Sequence, residues 1–160
     1  MKILICSDSH GDYFSLNDIV LKNYDCDYYF HLGDSGLPSY LLNNFCGVKG
    51  NCDFNDLPKE RDIEIDGLKF HLEHGDSIKF MYNPTKYVES LDCDVFVFGH
   101  THKKLFDKLE SGKYLINPGS LTRPRDGDKG SYLIIKIENK KIVSYKFIEV
   151  TLWAYSKRKN

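Results

Sequence analysis

The chain has 160 residues, 41% of them hydrophobic and 28% charged, a balance that excludes the high-charge, low-aromatic class of disordered proteins. Twenty-two basic residues against 23 acidic ones leave a net charge of −1, so no overall field draws the chain to nucleic acid or to an anionic membrane. At this length a single domain over residues 1–160 buries roughly two-thirds of its unfolded surface and needs no disulfide or structural metal to fold.

Ile3 to Cys6 form a short apolar run that stops at polar residues, the pattern of a buried strand delivering side chains to a sheet edge. Leu16, Ile19, Val20 and Tyr24 follow at helical spacing, with Asp12 or Ser15 as the cap. Tyr28 to Leu32 predicts a second strand, Leu41 to Phe45 a short helix and Gly47 to Lys49 a third strand. Strand, helix, strand alternation of this kind implies parallel pairing with crossover helices.

The rhythm then changes. Ile63 and Ile65 alternate with polar residues, Asp66-Gly67 supplies a two-residue turn, and Leu68, Phe70 and Leu72 resume the alternation, which predicts a hairpin. Pro84 to Leu91 reads as a helix and Val95 to Phe98 as a fully buried strand. Beyond Leu105 the pattern is mostly strands: Tyr114 to Ile116, Tyr132 to Ile137, and Ile142 to Val150 after an Asn139-Lys140 turn, with a frayed tail over Tyr155 to Asn160. The fold class expected is α/β, with two packed sheets forming a sandwich and helices outside.

The five cysteines, Cys6, Cys26, Cys46, Cys52 and Cys93, are odd in number and contain no C-x-x-C pair, so neither a disulfide framework nor a zinc ribbon is expected. Reduced thiols fit a cytoplasmic protein. The run from Ile3 to Cys6 is too short for a signal-peptide core, and no later apolar run approaches membrane-spanning length.

Five predicted strand ends release metal-ligand residue types: Asp8-Ser9-His10, Gly33-Asp34, Gly50-Asn51-Cys52-Asp53, His74-Gly75 and Gly99-His100-Thr101-His102. Strands ending at one sheet edge present their loops side by side, where α/β folds place ligands. Imidazole and carboxylate donors suit Mn, Fe, Zn, Ni or Co.

These segments resemble the calcineurin-like metallophosphoesterases, whose D-x-H, G-D, G-N-[H/C]-[D/E], H and G-H-x-H series appears here in order and continues into Asn117-Pro118-Gly119-Ser120. The small size and Cys52 are most similar to the YfcE-like phosphodiesterases of bacteria and archaea; the retromer scaffold subunit shares that fold. The resemblance implies two divalent ions, Mn²⁺ first among the candidates, one held by Asp8, His10 and His102, the other by Asn51, His74 and His100, with Asp34 bridging. It further implies hydrolysis of a small phosphoester by water activated between the ions, with Asp34, Asn51, Cys52 and His74 at the reacting centre. A phosphodiesterase is the first expectation, because the superfamily's monoesterases carry His where Cys52 stands. A phosphomonoesterase or pyrophosphatase is the second, and a non-catalytic scaffold, which would show eroded ligands, the third.

Other residues carry plainer expectations. Alternation places His31 opposite the core residues in a hydrogen-bonding role and His71 on the surface. Cys52 is either a small buried apolar residue or a contact to the site, Asp53 a loop-structuring carboxylate, and Arg123 and Arg125 either solvated or aimed at substrate phosphate. The 21 Tyr and Phe residues pack core and strands, since no basic stripe accompanies them to bind nucleic acid. A homo-oligomer is compatible with all of this.

Overall fold

The computed structural model describes residues 1–151. Ten strands and three helices follow one another as β1 (Lys2–Cys6), α1 (Tyr13–Lys22), β2 (Tyr28–His31), β3 (Cys46–Gly47), β4 (Glu60–Ile65), β5 (Leu68–Glu73), α2 (Ile78–Tyr82), α3 (Pro84–Ser90), β6 (Val95–Val97), β7 (Lys104–Lys108), β8 (Tyr114–Pro118), β9 (Gly130–Glu138) and β10 (Lys141–Val150). They build two five-stranded sheets, ordered β10-β9-β1-β2-β3 and β4-β5-β6-β8-β7.

Burial on both faces explains why β1 reads as an uninterrupted apolar run. Ile3 and Ile5 point between the sheets, where Phe30 and Leu32 meet Phe70, Leu72, Val95, Val97 and Ile116. The Phe30 and Phe70 rings cross edge to face at 5.8 Å across that seam. Leu4 and Cys6 point the other way, onto Leu16 and Ile19 of α1, which is capped by the Asp12 carboxylate accepting from Ser15 N–H. The outer face of the second sheet is covered in turn by α2 and α3, whose Phe80 and Val88 pack on Phe96 and Phe98. The result is a two-sheet sandwich between helical layers, as expected.

β1, β2 and β3 run parallel, and so do β5, β6 and β8. The β4–β5 hairpin turns at Asp66-Gly67 and the β9–β10 hairpin at Asn139-Lys140, all four residues at positive φ as a type I′ connection requires.

Several boundaries differ from the sequence reading. The helix expected over Leu41 to Phe45 is a 3₁₀ turn over Ser39–Leu42, started early by the extended backbone of Pro38. The third strand falls at Cys46–Gly47 instead of Gly47 to Lys49. α1 stops at Lys22, two residues before Tyr24. α2 was not foreseen, because a five-residue helix that buries only Phe80 has too few turns to show a period. The expectation for Tyr155 to Asn160 lies outside the described residues.

Candidate metal centre

The loops that follow β1, β2, β3, β5 and β6 meet at one edge of the sandwich, the carboxyl ends of the parallel strands. Backbone bonds stitch them together: Asp8 N–H to Gly33 O, His10 N–H to Asp34 O and Gly99 N–H to His74 O, each 3.0 Å. Five of the seven expected ligands, Asp8, His10, Asp34, His100 and His102, hold left-handed backbone with φ between 44° and 63°. Each such non-glycine residue costs on the order of 1 kcal/mol, so strain is concentrated where the side chains converge.

Asp8 is fully buried at the centre. Its Oδ2 accepts from Ser7 Oγ at 2.6 Å and from His100 N–H at 3.1 Å. Its Oδ1 has no hydrogen-bond partner, although His102 Nε2 lies at 3.0 Å, His10 Nε2 at 3.9 Å and His74 Nε2 at 4.0 Å. The main-chain carbonyl of Asp8 is held by Ser120 Oγ at 2.9 Å and Thr122 Oγ1 at 3.1 Å. Asp34 Oδ1 accepts from Cys52 N–H at 2.8 Å, and its Oδ2 lies 3.5 Å from His74 Nε2. Asn51 Oδ1 sits 3.1 Å from both His74 Nε2 and His100 Nδ1.

Two carbonyls fix the imidazole tautomers. His74 Nδ1–H donates to Leu32 O and His102 Nδ1–H to Arg123 O, both at 2.6 Å. A carbonyl can only accept, so the Nε2 atoms that remain carry lone pairs in the neutral rings and face carboxylates. Lone pairs and anionic oxygens at such distances repel unless a cation lies among them. Without one, a proton substitutes: burial opposes charging of His74, but Asp34, Asp8 and the Leu32 carbonyl together push it up to about 9. Burial likewise opposes ionisation of Asp34, and the bonds from His74 and Cys52 outweigh it, holding the carboxyl well below its ordinary range. Burial is the main reason that His10 and His100 are shifted the other way, toward the neutral ring that ligates. The orphaned Asp8 oxygen, the fixed tautomers and the mixed N/O donors all fit divalent metal.

Two groups of donor atoms lie within 4.8 Å of one another: Asp8, His10 and His102, and Asp8, Asp34 and His74. These groups hold five of the seven expected ligands, with Asp8, not Asp34, common to both; Asn51 Oδ1, 3.1 Å from His74 Nε2 and from His100 Nδ1, brings in the other two. The donors open on a cleft of about 410 Å³ that Cys52, Arg123, Pro124 and Arg125 also line.

Cys52 is exposed and lines the cleft, which rules out the buried apolar alternative and leaves a contact to the site. A hydrogen bond to Asp34, more than burial, raises its thiol pKa. Asp53 structures its loop as expected, accepting from Gly36 N–H and Gly50 N–H at 2.8 Å and from Ser35 Oγ at 3.1 Å. Asn117 braces the His100 loop through Gly99 O and Thr101 Oγ1. His31 is buried and hydrogen-bonded to Ser9 Oγ at 2.8 Å. His71 is a correction: it is buried, because α2 and α3 cover the sheet face on which alternation put it and its ring stacks on Phe96 at 5.6 Å. The carbonyls of Leu32 and Arg123 were invisible to sequence reading, since any residue type supplies a carbonyl.

Fold and site together define a metallophosphoesterase. The calcineurin-like phosphoesterase superfamily domain matches residues 1–140, and the chain belongs to that superfamily, whose members use divalent metals. It is 38% identical over 146 residues to the probable metallophosphoesterase YsnB of Bacillus subtilis (strain 168), covering 87% of this chain and 86% of that one. Among solved structures, a novel archaeal phosphodiesterase superposes with a TM-score of 0.73 at 23% identity, covering 94% of this chain and 100% of the other. The phosphoesterase Yfce of E. coli superposes with a TM-score of 0.66 at 19% identity, covering 91% and 98%. Likeness at these identities speaks to the fold, and it includes the YfcE-like group that the motifs resemble.

Proposed function

We propose that the chain is a phosphodiesterase working with two divalent ions, Mn²⁺ first among them, in the cytoplasm. The observation that carries the reading is the buried, unpartnered Oδ1 of Asp8, faced by imidazole nitrogens whose lone pairs the Leu32 and Arg123 carbonyls have aimed. In this reading Asp8, His10 and His102 would hold one ion and Asn51, His74 and His100 the other, with Asp34 serving both, as the resemblance implies. Such ions supply Lewis acidity, lowering the pKa of water and offsetting phosphoryl charge.

The chain's own residues do the rest. Arg123 and Arg125 on the cleft wall attract and orient the phosphate. Asn51 contributes a neutral carbonyl, so it adds no negative charge beside an anionic substrate. Ser7 and the N–H of His100 keep Asp8 Oδ2 turned inward and leave Oδ1 to the ion. The Cys52 thiol, its pKa raised, is a poor proton donor to a departing alkoxide. That disfavours alkyl monoesters, whose departing alkoxide needs a proton, and it supports the phosphodiesterase reading over an alkyl monoesterase. All seven donors are competent, which sets the scaffold reading behind catalysis. Five free thiols support the cytoplasmic assignment.

The test is hydrolysis of bis-p-nitrophenyl phosphate by chelator-treated protein before and after Mn²⁺ is restored. Turnover is expected only with the metal. Undiminished turnover in protein shown by elemental analysis to be metal-free would overturn the reading.

A further inference from the structure

The β4–β5 hairpin carries a second set of donors on the sheet face that points away from Asp8. Its register sets Glu60 directly opposite Glu73 and Asp62 directly opposite His71. Two like charges facing each other across a ladder destabilise it, so the Glu60–Glu73 pair calls for something between the carboxylates. His71 lies beside them with its side chain only 5% exposed, and its Nε2 has no hydrogen-bond partner despite lying 3.5 Å from Glu73 Oε2. The ligand atoms of Glu60, His71 and Glu73 all fall within 4.8 Å of one another.

The surroundings resemble what a transition metal requires. His71 Nδ1 lies 2.8 Å from Asp62 Oδ1. A carboxylate can only accept, so Nδ1 carries the hydrogen and the neutral ring turns its Nε2 lone pair toward Glu73, the carboxylate–imidazole arrangement that fixes a ligating histidine. Glu73 is anchored by the Tyr87 hydroxyl, which donates to Oε2 at 2.8 Å. Zinc bonds of about 2.0–2.1 Å in tetrahedral geometry separate neighbouring donors by about 3.3–3.5 Å, so the His71–Glu73 spacing needs almost no adjustment. Glu60 and Asp62 border an open cavity of about 460 Å³, which gives an ion its path in.

We propose that Glu60, His71 and Glu73 form a zinc-class metal site, separate from the Asp8 centre and independent of the function assigned to it. The ion relieves the Glu60–Glu73 repulsion and ties edge strand β4 to β5. The rival occupant is a second proton on His71, which would let the imidazolium donate to both Asp62 and Glu73 with no metal present.

The experiment counts bound zinc by elemental analysis after chelator-stripped full-length protein is dialysed to equilibrium against excess zinc. Wild type is expected to hold one zinc per chain more than Glu60→Gln/Glu73→Gln, with the fold of the variant checked by circular dichroism. Asp62→Asn, which alters only the partner of Nδ1, should bind that zinc about 10–100-fold more weakly. Asp8→Asn should retain it, so failure of the Asp8 centre to bind metal is read separately. Anomalous scattering at the zinc edge from wild-type crystals, whatever the variants do, should show a peak between His71 Nε2 and Glu73. No such peak, together with equal zinc counts in wild type and the double variant, would assign His71 to the proton and overturn the proposal.

Discussion

Gly50 is where backbone approach limits the centre most sharply. A Cβ built there would fall far inside contact distance of Asp34 Oδ1 and the Asp34 main-chain N, and backbone cannot swing aside as a flexible side chain can. Gly50→Ala must therefore push the Asn51–Cys52 segment outward, which removes the 2.8 Å bond from Cys52 N–H to the Asp34 carboxylate. Overpacking costs about 1–3 kcal/mol, and loss of a hydrogen bond to a charged group about 1.5–3 kcal/mol, so roughly 3–6 kcal/mol is expected in all. For a chain of this size each 1 kcal/mol moves Tm by about 2–4 °C, which predicts a fall of roughly 6–24 °C. Metal content should fall as well, because Asn51 and Asp34 are displaced together. Gly112→Ala is the comparison: its φ is 93° but a Cβ there meets nothing within 4 Å, so only backbone strain of about 1 kcal/mol is added and metal content should not change. Calorimetry and elemental analysis of both variants decide the matter. If Gly50→Ala melts no lower than Gly112→Ala and keeps its metal, steric approach at Gly50 is not what positions Asp34.

Asp34→Ala should cost more metal and more turnover than Cys52→Ala, since the carboxylate is proposed to serve both ions; equal losses with metal retained in both would contradict that role. Cys52→His should raise kcat/KM for alkyl monoesters relative to a nitrophenyl diester, though by much less than the ~10²–10⁴ of well-placed acid catalysis. An unchanged ratio, with the imidazole seen crystallographically to face the centre, would leave cleft shape as the cause of preference. Burial depresses the His31 pKa to about 4, so the folded state takes up fewer protons than the unfolded one once pH falls below 6.5. Metal-free wild type should therefore lose stability relative to His31→Gln on acidification, by about 2 kcal/mol at pH 5, and denaturant titrations at pH 7 and 5 that show a constant difference would refute the buried neutral ring.

Much of this architecture was legible because its elements obey simple periods. β1 reads as a strand since both its faces are buried, and the β4–β5 hairpin announces itself through Asp66-Gly67. The candidate donors were legible because each follows such a strand. What escaped depends on contacts between distant segments. His71 alternates as a surface residue would, and only the later arrival of α2 and α3 buries it. The placement of Arg123 and Arg125 on the cleft depends on Asn117 and Ser120 bracing loops more than a dozen residues away, which no local pattern encodes. Cys52 could be read either way from sequence because its neighbours Asn51 and Asp53 are buried to different degrees in the same turn.

The left-handed backbone at Asp8, His10, Asp34, His100 and His102 also constrains how such a chain can change over generations. Asn, Asp, His and Gly tolerate that conformation far better than Val, Ile or Thr do. The residues able to hold these turns are therefore nearly the same set as those able to bind a metal by oxygen or imidazole. A substitution that keeps the loop tends to keep a donor, or to leave Gly behind, whereas a β-branched replacement disturbs the fold before chemistry is even tested. Descent from an active enzyme toward an inert one is thereby channelled: the first tolerated losses should be single donors turned to Gly on an otherwise intact edge.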